Sequence, residues 1–314
     1  MKSVLSNKAF HDADKARAWL EENLWPDGPI CGHCGVLNES TPMKRTGVYQ
    51  CNACRKQFTV TVGTVFERSH IPLDKWLTAA FLLCASKKGM SAHQMHRILG
   101  ITYKSAWFMC HRLREAMAPL APTPLGGKGK TVEMDETFIG GLEKNKHRNK
   151  RKHVGTGGAG KQAVFSLVER GGRVRSHHVA NVSAKNLRPV LFTQVRRDSS
   201  LMTDESGPAK MLGKEFGNHE TVNHSIGEHV RGGAHTNTIE GYFSILKRGI
   251  VGTYHHVSEA HLKRYLAEFD FRYNERSALG VEDEERATRA LQGIVGKRLT
   301  YRRTNEARNS QAES

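Results

Sequence analysis

Between residues 73 and 117 the apolar positions recur at helical spacing, beginning with DKWLTAAFLLCAS. Ser91, with Gln94 three residues on, forms a capping box; Met95, Ile98 and Leu99 make a short apolar face, and Gly100 permits a turn. A second helix over about 103–117 would turn Tyr103, Ala106, Trp107, Cys110, Leu113 and Met117 inward and leave Lys104, Ser105, His111 and Arg112 outward. Such a pair is the pattern of a helix-turn-helix whose second helix reads a major groove through Lys104 and Arg112, and equally that of an ordinary helical hairpin. Upstream, MKSVLSNKAFHDADKARAWL reads as an amphipathic helix without the apolar core of a signal peptide, so a cytoplasmic (bacterial cytosol) location is expected.

After a Pro- and Gly-rich stretch at 118–130 that reads as a linker, the period changes from helical to alternating. Strands are expected at 131–135, 162–169 and 174–179, the last two joined as a hairpin through Gly171-Gly172. A helix over about 183–195, a strand at 200–203 and helices near 238–248 and 259–274 complete a mixed sheet flanked by helices. The chain thus reads as multidomain: an N-terminal helix (1–28), a small ribbon (29–68), a helical DNA-binding segment (69–120), the linker (121–130), an α/β domain (131–280), and a C-terminal helix with a basic tail expected to be disordered (281–314).

Charge narrows the partner. The chain carries 48 Lys and Arg against 31 Asp and Glu, a net charge of +17, which points to a polyanion such as nucleic acid. The longest apolar run, around 76–85, is too short to span a bilayer. The densest positive stretch, EKNKHRNKRKHVGTGGAGK, lies between the first two strands of the α/β region and is expected to clamp phosphates through Lys150, Arg151 and Lys152.

Four of the six cysteines fall as Cys31-x-x-Cys34 and Cys51-x-x-Cys54, the spacing of a four-thiolate zinc ribbon in which the zinc is structural and no position is open to water. Cys84 and Cys110 sit in apolar helical patterns and read as small buried hydrophobes.

Against this basic background, KTVEMDETFIGG sets Asp135 at the end of a strand, SLMTD sets Asp204 at the end of another, and TIEGYFSILKR opens with Glu240 on an amphipathic helix. Three carboxylates on three elements are what a pair of Mg²⁺ (or Mn²⁺) ions needs for phosphoryl chemistry. Lys247, two helical turns beyond Glu240 on nearly the same face, would reach a DNA phosphate. Glu136 and Glu205, beside the chosen acids, read as turn or cap residues.

The series VEMDETFIGG, LVERGGRV, LMTDES, NHSIGEHVRGGAHTNTIEGYFSILKRGIVGTYHHVS and YLAEFDFRYNER, with CRKQFTVTVGTVFE at the ribbon, closely resembles the ISXO-like insertion-sequence transposases, over roughly residues 19–276. The resemblance implies a ribonuclease H-like catalytic fold, divalent metal dependence and DNA transposition. It places the family's acids on Asp135, Asp204 and Glu240 and its basic residue on Lys247. Family members vary at the third acid, and Asn237 and His235 are the alternative donors here. The expected substrate is double-stranded DNA, terminal inverted repeats and target, handled by at least a homodimer because two ends must be joined. The alternative from another class is a non-catalytic zinc-ribbon and helix-turn-helix regulator, and a third is a nuclease that cuts without joining.

Overall fold

The computed structural model describes residues 4–141, 145, 147–151, 158 and 160–300. They form two compact units, the first from residues 4–86, 90–118 and 283–300, the second from 87–89 and 119–282.

In the first unit, helix α1 (Ala13–Leu24) is started by Asp12, whose carboxylate accepts the Asp14 and Lys15 amides. Strands β1 (Ser40–Pro42), β2 (Tyr49–Cys51) and β3 (Gln57–Phe58) make a small antiparallel sheet, and Trp25, Tyr49 and Phe58 pack their rings beside it at 5.6–5.9 Å. The alternation in VTVGTVF does not continue as strand: residues 60–68 run mostly through turns.

Helices α2 (Leu73–Ala85), α3 (Ala92–Leu99) and α4 (Tyr103–Met117) follow. Ser91 caps α3 through the Gln94 amide, Gly100 ends it in the left-handed region at φ 60°, and Thr102 caps α4 through Ser105. The outward and inward assignments on α4 need correction. Arg112 and His111 are buried, whereas Tyr103 is exposed, as is Ile98 on α3. The last helix, α9 (Asp283–Gln292), packs against α2 and α4, so the C-terminal half of α4 is enclosed on every side and only its first turn, with Tyr103 and Lys104, faces solvent. The start of the basic tail is anchored as well, because Lys297 Nζ donates to the carbonyls of Ala116 and Ala118. The rest, from residue 301, lies outside the described residues.

The second unit is built on a five-stranded sheet of order β6-β5-β4-β7-β8, from β4 (Thr131–Ile139), β5 (Gln162–Glu169), β6 (Val174–Val179), β7 (Ser200–Asp204) and β8 (Asn218–Val222). The first three strands run antiparallel to one another, while β7 lies parallel to β4 and β8 parallel to β7. Strand β5 is apolar on both faces because both are covered. Phe165 and Leu167 join one core with α5 (Ala184–Gln194) and α6 (Gly207–Gly213). Val164 and Val168 join the other with α7 (Asn237–Gly249) and α8 (Glu259–Asn274). Strand β4 runs past Asp135 to Ile139, four residues further than its sequence pattern predicts, and β8 and α6 go unpredicted. Between β8 and α7 a short hairpin, β9 (Val230–Arg231) with β10 (Ala234–His235), leads the chain into α7.

The stretch read as a linker is partly core. Leu125 is buried against the α5 face, its amide donates to the Gln194 carbonyl at 2.7 Å, and the Gly127 amide donates to Ser199 Oγ. Among the described residues no helix is long and apolar enough to cross a membrane.

Candidate active site and metal centres

The two knuckles of the ribbon repeat one backbone pattern. Gly35 N–H donates to the Cys31 carbonyl at 2.8 Å and Cys31 N–H to the Val36 carbonyl; likewise Arg55 N–H donates to Cys51 and Cys51 N–H to Lys56. Each pattern puts the residue after the second cysteine in the left-handed region, Gly35 at φ 78° and Arg55 at φ 62°. Gly32 is required for a different reason: a Cβ there would meet the Val62 carbonyl oxygen at 2.4 Å. The four Sγ atoms lie within 4.8 Å of one another, with Cys31–Cys54 and Cys34–Cys51 each 3.7 Å apart. A tetrahedron with Zn–S bonds of about 2.3 Å has edges of about 3.8 Å, so these thiols fit zinc. The Cys51 thiol is lowered to about 7, first by the Cys54 amide, although burial opposes it, and also by the neighbouring thiols. A metal can therefore recruit it as thiolate at neutral pH.

The acids meet on the second unit's sheet. The parallel register pairs Thr131 with Ser200 and Glu133 with Met202, so two residues further on Asp135 stands beside Asp204 at the strands' C-terminal ends. Odd-numbered positions of β4 face α7: Ile139 joins the α7 core, whereas Val132 and Met134 point to the α5 side. Helix α7 turns Ile239, Phe243 and Leu246 onto the sheet and keeps Asn237, Glu240, Ser244 and Lys247 on one solvent-facing stripe. Burial raises Asp135 to about 7; the Glu136 amide, donating to its Oδ1 at 2.7 Å, opposes this, while the negative charges of Glu136, Asp204 and Glu240 add to it. Those three acids are thus its electrostatic neighbours. Glu136 is likewise raised to about 7, by burial and then by Asp204. It is a residue of the continuing strand, not of a turn. Glu205 accepts the Ser225 amide at 3.3 Å, a long contact to a short turn whose own cap is Asn223.

Carboxylates that repel one another in this way are the type of group that a hard divalent cation binds. Their oxygens are not drawn into a cluster of ion size; the thiolates are the one such group among the described residues. Glu240 has company that sequence pattern does not reveal. Thr236 Oγ1 donates to its Oε1 at 2.8 Å, and His224 Nε2 stands 3.2 Å from Thr236 Oγ1 and 3.5 Å from Glu240. His224 Nδ1 in turn stands 3.1 Å from His229 Nδ1. These contacts depend on how the chain returns from β8 to α7, for which no local motif exists.

Of the expected DNA contacts, Lys104 is exposed on the first turn of α4, and Arg112 is withdrawn: it donates to the carbonyls of Glu67 and Leu299 and covers the Phe108 ring. Arg151 is exposed, and the Lys150 side chain and Lys152 lie outside the described residues.

Comparison with known proteins identifies two domains in the chain. Residues 124–274 match the ISXO2-like transposase domain, and residues 11–57 match a transposase zinc-ribbon domain. An uncharacterized protein in the transposable element ISH50 of Halobacterium salinarum is 29% identical over 283 residues, spanning 84% of this chain and 92% of that protein. The chain therefore carries a transposase zinc-ribbon domain followed by an ISXO2-like transposase domain.

Proposed function

We propose that the protein binds the terminal inverted repeats of an insertion sequence, cleaves the DNA at the element ends and joins them to target DNA. The observation that carries this reading is the placement of Asp135 beside Asp204 on adjacent parallel strands, facing the helix that bears Glu240. The strand order, with three antiparallel strands followed by two parallel ones, supports a ribonuclease H-like fold. The capped pair α3 and α4, turning at Gly100, supports a helix-turn-helix that presents Lys104 at the amino end of its second helix. On this reading the ribbon, the helical segment and the α/β domain are the working domains.

Asp135 and Asp204 would hold two divalent ions, Mg²⁺ or Mn²⁺, and Glu240 would complete the set, with Asn237 the alternative donor one turn earlier on the same stripe. When bound, the ions offset the charge that develops on the phosphate and lower the pKa of the attacking hydroxyl. Water and then the DNA 3′-hydroxyl are the nucleophiles, and no side chain forms a covalent bond to DNA. Lys247 lies seven residues beyond Glu240, about 10 Å along the helix axis, and meets the phosphate backbone next to the cleaved bond. Joining two ends needs two such sites, and hence at least a dimer on DNA.

The test is a labelled element end incubated with target DNA and Mg²⁺. The wild-type chain gives joined product. Asp135→Asn and Asp204→Asn each bind the end and give neither cut nor joined product. Binding without any product from the wild type would mark a regulator, and cutting without joining a nuclease.

A further inference from the structure

We infer that Glu133, which has no part in the metal-binding set, is the amino-terminal cap of α7 supplied from strand β4, and that it positions Glu240 against Asp135. Helices leave their first amide groups without partners, and the residue before the helix ordinarily provides the acceptor. Here that residue is Thr236, and its hydroxyl is turned away to Glu240. The missing acceptor comes from across the fold. Glu133 Oε2 accepts the Ile239 amide at 2.9 Å, and its Oε1 accepts the Thr238 hydroxyl at 2.8 Å. Its side chain is fully buried. A carboxylate at this end of a helix also meets the positive end of the helix dipole.

Arg170 braces the arrangement. Its Nε donates to Glu133 Oε1 at 2.7 Å, while Nη1 and Nη2 donate to the carbonyls of Gly233 at 2.9 Å and His235 at 2.8 Å, the segment that leads into α7. Glu133 is two residues before Asp135 on the same strand face, and Ile239 immediately precedes Glu240. One side chain therefore ties the strand of the first acid to the helix turn of the third. Thr236, freed from capping by Glu133, is the residue that fixes the Glu240 carboxylate. This inference rests on the reading of Glu240 as a metal ligand, and the cap itself can be tested without metal.

Two measurements on the full chain decide it. In the metal-free protein, Glu133→Gln keeps the shape of the side chain and removes its charge; the Ile239 amide should then exchange with solvent about tenfold faster while the amides of β5 keep their rates. Thr238→Val, which leaves the buried ion pair in place, should shift the same amide in the same direction by less. Mn²⁺ binding, followed by electron paramagnetic resonance, should weaken about tenfold in Glu133→Gln, and this loss should vanish when Glu240→Gln is already present. An unchanged Ile239 rate overturns the cap, as does faster exchange spread through β5. An equal loss of Mn²⁺ affinity with and without the Glu240 carboxylate overturns the positioning role. If Glu240→Gln alone binds Mn²⁺ as the wild type does, the reading of Glu240 as a ligand fails, and the Ile239 rate still decides the cap.

Discussion

Arg112 Nε donates to the carbonyl of Leu299 at 3.2 Å, across 187 residues of sequence. Its Nη1 donates to the Glu67 carbonyl at 3.1 Å, so the guanidinium joins the C-terminal segment, the end of the ribbon and α4 within the first unit. The expectation that Arg112 reads DNA is replaced by a structural one. Arg112→Ala should lower stability by about 1–3 kcal/mol, the cost of losing two charge-assisted, part-buried hydrogen bonds. Lys104→Ala, at an exposed position, should lower the melting temperature far less than Arg112→Ala and reduce the preference for element ends over random duplex. Thermal melts and competition binding on the two variants check this; a stable Arg112→Ala chain would refute the anchoring role.

The ribbon should hold about one zinc per chain, because four thiolates close a single tetrahedral site. Cys34→Ser should release it and unfold the ribbon around Trp25, Tyr49 and Phe58, whose cluster is too small to stand alone. Metal analysis with tryptophan fluorescence reads both outcomes.

Arg55 holds a left-handed conformation at φ 62°, where its counterpart in the other knuckle is Gly35. Replacing a non-glycine residue in that region relieves roughly 1 kcal/mol of backbone strain. Arg55→Gly should therefore keep the zinc and raise the melting temperature slightly, unless the lost charge weakens DNA binding, which a salt titration separates from stability.

The acid cluster predicts a pH dependence of metal binding. Asp135, raised to about 7 by burial and then by its acidic neighbours, is largely protonated at pH 6. A cation must displace that proton, so apparent Mg²⁺ affinity should climb as pH rises toward 7 and level off above it. The same raised value means that the metal-free fold is favoured by protonation: its stability should fall as pH rises from the ordinary carboxylate range, near 4, through 7. Calorimetry in buffers of different ionisation enthalpy measures the released proton, and Asp135→Asn should reduce the release to what Glu136 contributes.

At the third metal position, Glu240→Gln should reduce joining nearly as far as Asp135→Asn, with Asn237→Ala mild. If Asn237 holds the ion instead, the order reverses. Strand-transfer yield in Mg²⁺ distinguishes the two.

What the sequence determined by itself is what depends on short-range chemistry. Two CxxC knuckles define a metal site by spacing alone, and Ser91, Gly100 and Thr102 mark helix ends through contacts within a few residues. Asp135 and Asp204 could be named because each ends a short alternating run, and Glu240 because it opens an amphipathic one.

Only the tertiary structure decided the rest, because it depends on residues distant in the chain. The parallel register brings Asp204 to Asp135 from 69 residues away. The packing of α9 on α2 and α4 withdraws Arg112 and His111 from a helix whose periodicity alone puts them outside. Leu125 leaves a Pro- and Gly-rich stretch for the core because the end of α5, through Gln194 and Arg196, offers it hydrogen bonds and the α5 face gives it apolar cover. Glu133 could not be distinguished from any other strand acid, since its partners Arg170, Thr238 and Ile239 come from other elements. Periodicity records which face of an element is apolar, whereas the partner of a buried charge is fixed only when the chain closes on itself.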